Sequence, residues 1–418
     1  MNHKTLHFFC SIFQIFSLIG LTFEPAWGID DEECLGCHGD PELMDEEGRS
    51  LFVVPERYLR SSHGQQEIGC TGCHQDLTDL QEFPHDEDLE KVDCGGCHED
   101  VIREYENGIH GVARVKEGIQ EAAYCSDCHS KHEILPKEDP NSWIYPLNLP
   151  KTCEKCHEDE EIVKRFRLGE VRMIKTYDES IHGKALKEAG LTVSAVCNDC
   201  HGSHDIRWVN DPLSKVWKTN VPETCGKCHG GIYWVYMESF HGKELSKGNM
   251  DVPVCTDCHG EHTVFSPKDP QSKVYSANIP GTCIHCHDDE RLSMRYGLPS
   301  RRLATYGESF HGTALRLGDM TVANCASCHG AHDILPSSDP RSSIHPDRLH
   351  LTCGKCHPGA GVNFAKGKIH VDASSESNVG VYVTRRFYKL LITGLVSAFV
   401  GLILLDLLAK KKKRMRKE

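Results

Sequence analysis

The sequence predicts a mainly α-helical chain with much irregular backbone. It predicts an elongated molecule of repeated units, with no protein core of ordinary size and one C-terminal transmembrane helix. Three observations predict this. A Cys-x-x-Cys-His string recurs eleven times in 418 residues, about 30 residues apart on average, so no intervening stretch can bury a sizeable core of its own. The strings alternate between two types at regular spacing, the mark of internal repeats. Near the C-terminus, 23 mostly apolar residues precede a basic tail.

Residues 1–28, "MNHKTLHFFCSIFQIFSLIGLTFEPAWG", read as a secretory signal peptide. Lys4 supplies the positive start, Leu6 to Leu21 the apolar run, and Ala26-Trp27-Gly28 a small-x-small cleavage site. A membrane anchor is the alternative for the same run. Cys10 lies here, too early for lipid attachment, and is the one cysteine of 23 outside the repeated strings.

The strings begin at Cys34, Cys70, Cys94, Cys125, Cys153, Cys197, Cys225, Cys255, Cys283, Cys325 and Cys353. Their second cysteines are Cys37, Cys73, Cys97, Cys128, Cys156, Cys200, Cys228, Cys258, Cys286, Cys328 and Cys356. Their histidines are His38, His74, His98, His129, His157, His201, His229, His259, His287, His329 and His357. A disulfide framework would not explain the histidine. A zinc site needs four converging ligands and does not demand a histidine directly after the second cysteine. Covalent attachment of haem c explains all three residues: each thiol adds to a haem vinyl group, and the adjacent imidazole bonds the iron. Eleven haems then form the core that the polypeptide lacks.

Two string types alternate. Type one is Thr-Cys-x-x-Cys-His, usually after a proline, as in "LPKTCEKCH", "VPETCGKCH" and "IPGTCIHCH"; "LHLTCGKCH" lacks the proline. Type two carries a second histidine three residues on, as in "CNDCHGSHDI" and "CASCHGAHDI". From type two to the next type one the spacing is 28 residues in four cases, with an Asp-Pro ending at Pro140, Pro212, Pro270 or Pro340. Proline makes these spacers extended and turn-like. From type one to type two the length varies, but each segment holds Tyr-x-x-x-x-His-Gly in a helical-looking context such as "TYDESIHGKALKEAG". Insertions such as "EDEEIVKRFRLGEVRM" read as extensions of a helix. The organisation is a haem unit in each of 29–93, 94–152, 153–224, 225–282 and 283–352, then a last haem and tether in 353–386.

A haem iron has two axial positions, and a histidine at both leaves it able only to pass electrons. The further histidines number eleven, matching the strings: His63, His110, His182, His241 and His311 between types, His85, His132, His204, His262 and His332 after type two, and His370 near the end. His85 stands eleven residues after His74 instead of three. A histidine three residues from the string's own cannot reach the opposite face of the same haem, so His132, His204, His262 and His332 should serve a different one. Gly202, Gly260 and Gly330 allow a tight backbone there. His370 is expected to serve the haem of Cys353.

"FYKLLITGLVSAFVGLILLDLLA", residues 387–409, is long enough to span a bilayer. Residues 410–418 form the basic tail, which by the positive-inside bias lies in the cytoplasm. Asp406, near the cytoplasmic end, reads as tolerated rather than functional. From residue 384 onward there are ten basic and two acidic residues, and the signal region sums to zero. The net charge of −14 therefore leaves −22 on the segment between. Such a surface repels nucleic acid and favours basic partners. The tether 371–386, with its flexible-looking "DASSESNVG", reaches at most about 55 Å.

These strings, with the trailing histidine and the upstream Ser-x-His-Gly, resemble multihaem c-type cytochromes of the doubled Cys-x-x-Cys-His kind over residues 34 to about 370. The resemblance implies an electron carrier without its own substrate site, working through low-potential bis-histidine haems in anaerobic respiration. It implies a bacterial inner-membrane protein facing the periplasm. Its partners would be a membrane quinol-oxidising or cytochrome b-type protein and periplasmic cytochromes or reductases. The C-terminal anchor departs from the N-terminally anchored quinol dehydrogenases. The alternatives are a nitrite- or hydroxylamine-type multihaem reductase with one open haem, and a haem subunit of a larger membrane complex.

Overall fold

The computed structural model describes residues 31–80, 82–86, 89–169, 172–298, 301–366, 370–376 and 378–415. The signal-peptide segment 1–28 lies outside them. Short helices joined by turns make up the described chain, and no strand occurs among these residues beyond an isolated Met44–Ser50 bridge. The chain divides into two compact units, Met1–Asn148 and Leu149–Glu418.

The helices are short because the sequence stops them early. Each type-two string is a single helical turn, Cys125–His129, Cys197–His201, Cys255–His259 or Cys325–His329. A side chain three residues in, Asp127, Asp199 or Asp257, accepts from the backbone N–H that opens the turn at 2.7 Å. The residue after each string has φ between 69° and 91°. That is glycine territory, filled by Gly202, Gly260 and Gly330, but by Ser130 in the second repeat. The Asp-Pro spacers are turns: the carboxylates of Asp139, Asp211, Asp269 and Asp339 accept from the amide two residues on at 2.8–2.9 Å.

One sequence expectation is refined here and one corrected. The segment around "TYDESIHGKALKEAG" is not one helix but two, Met173–Glu179 and Ile181–Lys187, because Ser180 is extended (ψ 166°) and caps the second. The insertion "EDEEIVKRFRLGEVRM" does not extend a helix. Asp159 caps a separate Glu160–Phe166 helix, which ends at Arg167 in the left-handed region (φ 53°).

Thirteen apolar side chains are buried among the described residues, and the one clustered core holds Val221, Tyr236, Leu245, Val252 and Val254. Cys225 and Cys255 pack against that cluster. So thin a core cannot by itself offset the ordering of so long a chain.

The C-terminal helix, Val379–Met415, starts eight residues earlier than the apolar run. Val379–Lys412 is long and apolar enough to cross a membrane. Within it, Asp406 pairs with Lys410 at 2.6 Å. The preceding segment is held rather than loose. Asp372 accepts from Arg301 at 2.9 Å and from the Ser374 amide at 2.8 Å, Ser374 also accepts from Arg301, and Arg385 pairs with Glu308 at 3.1 Å.

Candidate haem-binding sites

The Tyr-x-x-x-x-His-Gly segment is a clamp, and each of its residues has a reason. The tyrosine hydroxyl donates to the carbonyl two residues before the next type-two string: Tyr105 to Ala123 at 2.7 Å, Tyr177 to Ala195 at 2.9 Å, Tyr236 to Pro253 at 2.8 Å, Tyr306 to Ala323 at 3.0 Å, and Tyr58 to Ile68. Burial raises these phenols, Tyr58, Tyr105 and Tyr306 to about 12, so the donated proton stays in place. Ser61, Ser180, Ser239 and Ser309 each accept from the amide of the glycine three residues on at 3.0–3.1 Å, which starts the short helix bearing the histidine. The glycine is forced by a close approach: a Cβ at Gly64, Gly111, Gly183, Gly242 or Gly312 would lie 2.1–2.2 Å from the tyrosine carbonyl oxygen.

The segment is then tied to a neighbouring repeat. The amide just before the histidine donates to a carbonyl two residues beyond a trailing histidine: Ser62 to Ile134 at 2.7 Å, Ile181 to Val264 at 2.8 Å, and Phe240 to Ile334 at 2.8 Å.

These braces align imidazoles in pairs. In the first unit, His38 faces His85 (ring centroids 5.9 Å apart), His63 faces His98 (6.0 Å) and His74 faces His132 (6.4 Å). In the second, His182 faces His229 (6.3 Å), His201 faces His262 (6.0 Å) and His241 faces His287 (6.3 Å). His259 faces His332 (5.9 Å), His311 faces His357 (6.1 Å) and His329 faces His370 (6.3 Å). Each pair joins a string histidine to one of the further histidines. His132, His262 and His332 lie against a string other than their own. The four remaining histidines of the two sets are His110, His129, His157 and His204.

The spacing fits a haem iron. Two metal–nitrogen bonds of about 2 Å, and about 1 Å from each ring centre to its nitrogen, require about 6 Å between centroids. Bonding an iron also requires a neutral imidazole. Burial lowers His74, His132, His182, His259, His287, His329 and His370, and takes His201 and His241 to about 4. Second partners fix three rings: His38 Nδ1 lies 2.9 Å from the Leu51 carbonyl, His85 Nδ1 2.7 Å from that of Asp86, and His370 Nδ1 3.1 Å from Thr305 Oγ1. No group of three His, Cys, Asp or Glu side chains converges as a zinc site would require, among the described residues.

The 22 string cysteines are free thiols. The first cysteines of neighbouring strings influence one another's ionisation in five pairs, which places their thiols near each other: Cys34 with Cys70, Cys94 with Cys125, Cys153 with Cys197, Cys225 with Cys255, and Cys283 with Cys325. Cys255 lowers Cys225 to about 7. Cys353 belongs to no such pair in the repeat.

One expectation is overturned. His370 faces His329, not His357, because Arg301 and Thr305 hold the 370–374 segment against the Arg302–Gly307 helix. His357 is met instead by His311 and by Phe364, 5.3 Å away. The spacing of strings carried no sign of Thr305. It is the residue before the clamp tyrosine, and its equivalents are Arg57, Glu104, Thr176 and Val235.

Residues 62–158 match the family model Cytochrome c3. No solved structure matches the chain significantly. Facing imidazoles at haem spacing, thiols placed beside each string histidine, and that match lead to one identity: the chain is a multihaem c-type cytochrome that transfers electrons.

Proposed function

We propose that the chain is an undecahaem cytochrome in which every iron is bound by two histidines. It carries electrons between a membrane donor and periplasmic or outer acceptors in anaerobic respiration. The observation that carries this reading is the set of nine facing imidazole pairs. An iron closed on both faces has no position for nitrite, hydroxylamine or peroxide and can only change its oxidation state. Bound haem supplies that one-electron chemistry. The protein contributes position: the clamp orients the imidazoles it carries, burial disfavours the charged form of nine of the paired histidines, and the five cysteine pairs would set two haems side by side within each repeat.

The C-terminal helix supports anchoring in the inner membrane, with the haem-bearing part in the periplasm and the basic tail in the cytoplasm. Its partner there is a quinol-oxidising or cytochrome b-type membrane protein, and periplasmic cytochromes or reductases lie on the other side. The test is the intact mass of the mature protein together with its spin state. Eleven haems, all low-spin and indifferent to cyanide and nitrite, are expected. A high-spin iron that binds either ligand would replace this reading with the reductase.

A further inference from the structure

His370 is the further histidine that comes from the segment after the last repeat. It lacks the clamp that orients His63, His182, His241 and His311, and it lacks the turn that orients the trailing histidines. Thr305 stands in their place. Its side chain is largely buried, with 8% of the residue exposed, and its Oγ1 lies 3.1 Å from His370 Nδ1. The direction of that bond is settled by the other partners of the hydroxyl. Oγ1 also lies 3.1 Å from the Arg301 carbonyl and 3.0 Å from the Arg302 carbonyl, both acceptors only. The single hydroxyl proton goes to those carbonyls. The oxygen therefore accepts from His370, which must carry its proton on Nδ1 and present the bare Nε2 toward His329. Thr176, the one equivalent residue with a hydroxyl, donates to the Arg172 carbonyl in the same manner but is only half-buried.

We propose that Thr305 is the positioning residue for the axial ligand His370, fixing its tautomer and ring orientation on the iron of the Cys325 haem. This rests on the reading above that His329 and His370 share one iron. A hydrogen bond accepted from Nδ1–H makes Nε2 a stronger donor. A stronger donor favours the ferric over the ferrous iron and keeps that haem at low potential. The haem concerned is the last one closed by a ligand from the non-repeating segment next to the anchor helix. Thr305 thus sets one potential near the membrane end of the chain without touching the iron.

The experiment is a spectroelectrochemical titration with low-temperature electron paramagnetic resonance on the full holoprotein. Its subjects are Thr305→Val, Thr305→Ser and the reference His370→Ala, each checked for eleven haems by mass. Thr305→Val should move one component, about one eleventh of the amplitude, to higher potential and shift one low-spin signal. Thr305→Ser should restore both. Should Thr305→Val mature poorly, Thr305→Ala lacks the same hydroxyl, leaves more room and carries the same expectation. His370→Ala should turn one haem high-spin. If it does so while Thr305→Val and Thr305→Ala titrate like the wild type, the role of Thr305 is overturned and the pairing stands. If His370→Ala leaves every haem low-spin, the pairing itself fails. A shift that Thr305→Ser shares would assign the effect to packing and likewise overturn the proposal.

Discussion

Gly183 shows how tightly a ligand is held. A methyl group added there would sit 2.2 Å from the Tyr177 carbonyl oxygen and 2.7 Å from the Asp178 Cα, and both are backbone atoms with no rotamer to escape into. Gly183→Ala must therefore move the Tyr177–Gly183 turn. A cost of about 1–3 kcal/mol is expected from overpacking alone. His182 would leave His229, so the variant should show one new high-spin iron as well as a lower denaturant midpoint. A variant spectroscopically identical to the wild type would mean that the turn relaxes without disturbing the imidazole. The glycine, the serine two residues before most of the histidines and the tyrosine were all visible in the sequence as a recurring string. Their reasons were not, because the contacts of the tyrosine hydroxyl run 17 or 18 residues ahead in four of the five cases.

The short helices and turns sort the imidazole pairs into two kinds. Where the further histidine sits on a clamp helix, the two rings are crossed, at 62° for His63–His98, 49° for His182–His229, 55° for His241–His287 and 50° for His311–His357. Where it sits after a string or in a single loop, the rings are closer to parallel. The angles are 33° for His74–His132, 18° for His201–His262, 10° for His259–His332, 37° for His329–His370 and 13° for His38–His85. Parallel rings act on the same iron d orbital and split it from its neighbour, whereas crossed rings act on both and reduce the splitting. Electron paramagnetic resonance of the oxidised protein should therefore show two low-spin families. Haems closed by a clamp histidine should give the larger maximum g value and the others the more rhombic signals. A single family would mean that the haems impose one ring orientation on all sites. The count of eleven further histidines was legible in the sequence. Their assignment was not, since His74 and His132 are 58 residues apart and His259 and His332 are 73 apart, and nothing local marks either partner.

At the scale of the whole molecule, the mainly α character with much irregular chain, the absence of an ordinary core and the C-terminal helix were all readable beforehand. String spacing limits how much protein can be packed between haems, and 23 mostly apolar residues are enough to cross a bilayer as a helix. The ends of the repeat array were harder. The eight pairs other than His38–His85 each join two neighbouring repeats, or the last repeat to the segment after it. The array thus runs out of partners at both ends. His85 and His370 make up the deficit, and neither belongs to the repeat. The sequence also suggested a loose tether. The bonds of Arg301 to Asp372 and Ser374, and of Arg385 to Glu308, are made by charged residues far apart in the chain, where no periodicity points to them. They fix the start of the anchor helix against the last repeat, so the tether's extended reach is not available to it.

The exchange of ligands between repeats also sets an order of maturation. If the proposed periplasmic placement holds, a chain exported from its N-terminus would present Cys325 and His329 for haem attachment before His370 emerges. The haem held by Cys325 and His329 would then lack its second histidine until the final segment followed, whereas the haem held by Cys353 and His357 would find His311 already in the chain. A chain ended after Ala360 should therefore carry all eleven haems with one open iron, able to bind cyanide, and the open site should be that of Cys325 and not the last one attached. Completion of the array would then be reported by the loss of a reactive iron, a chemical signal that the chain has been finished to its anchor.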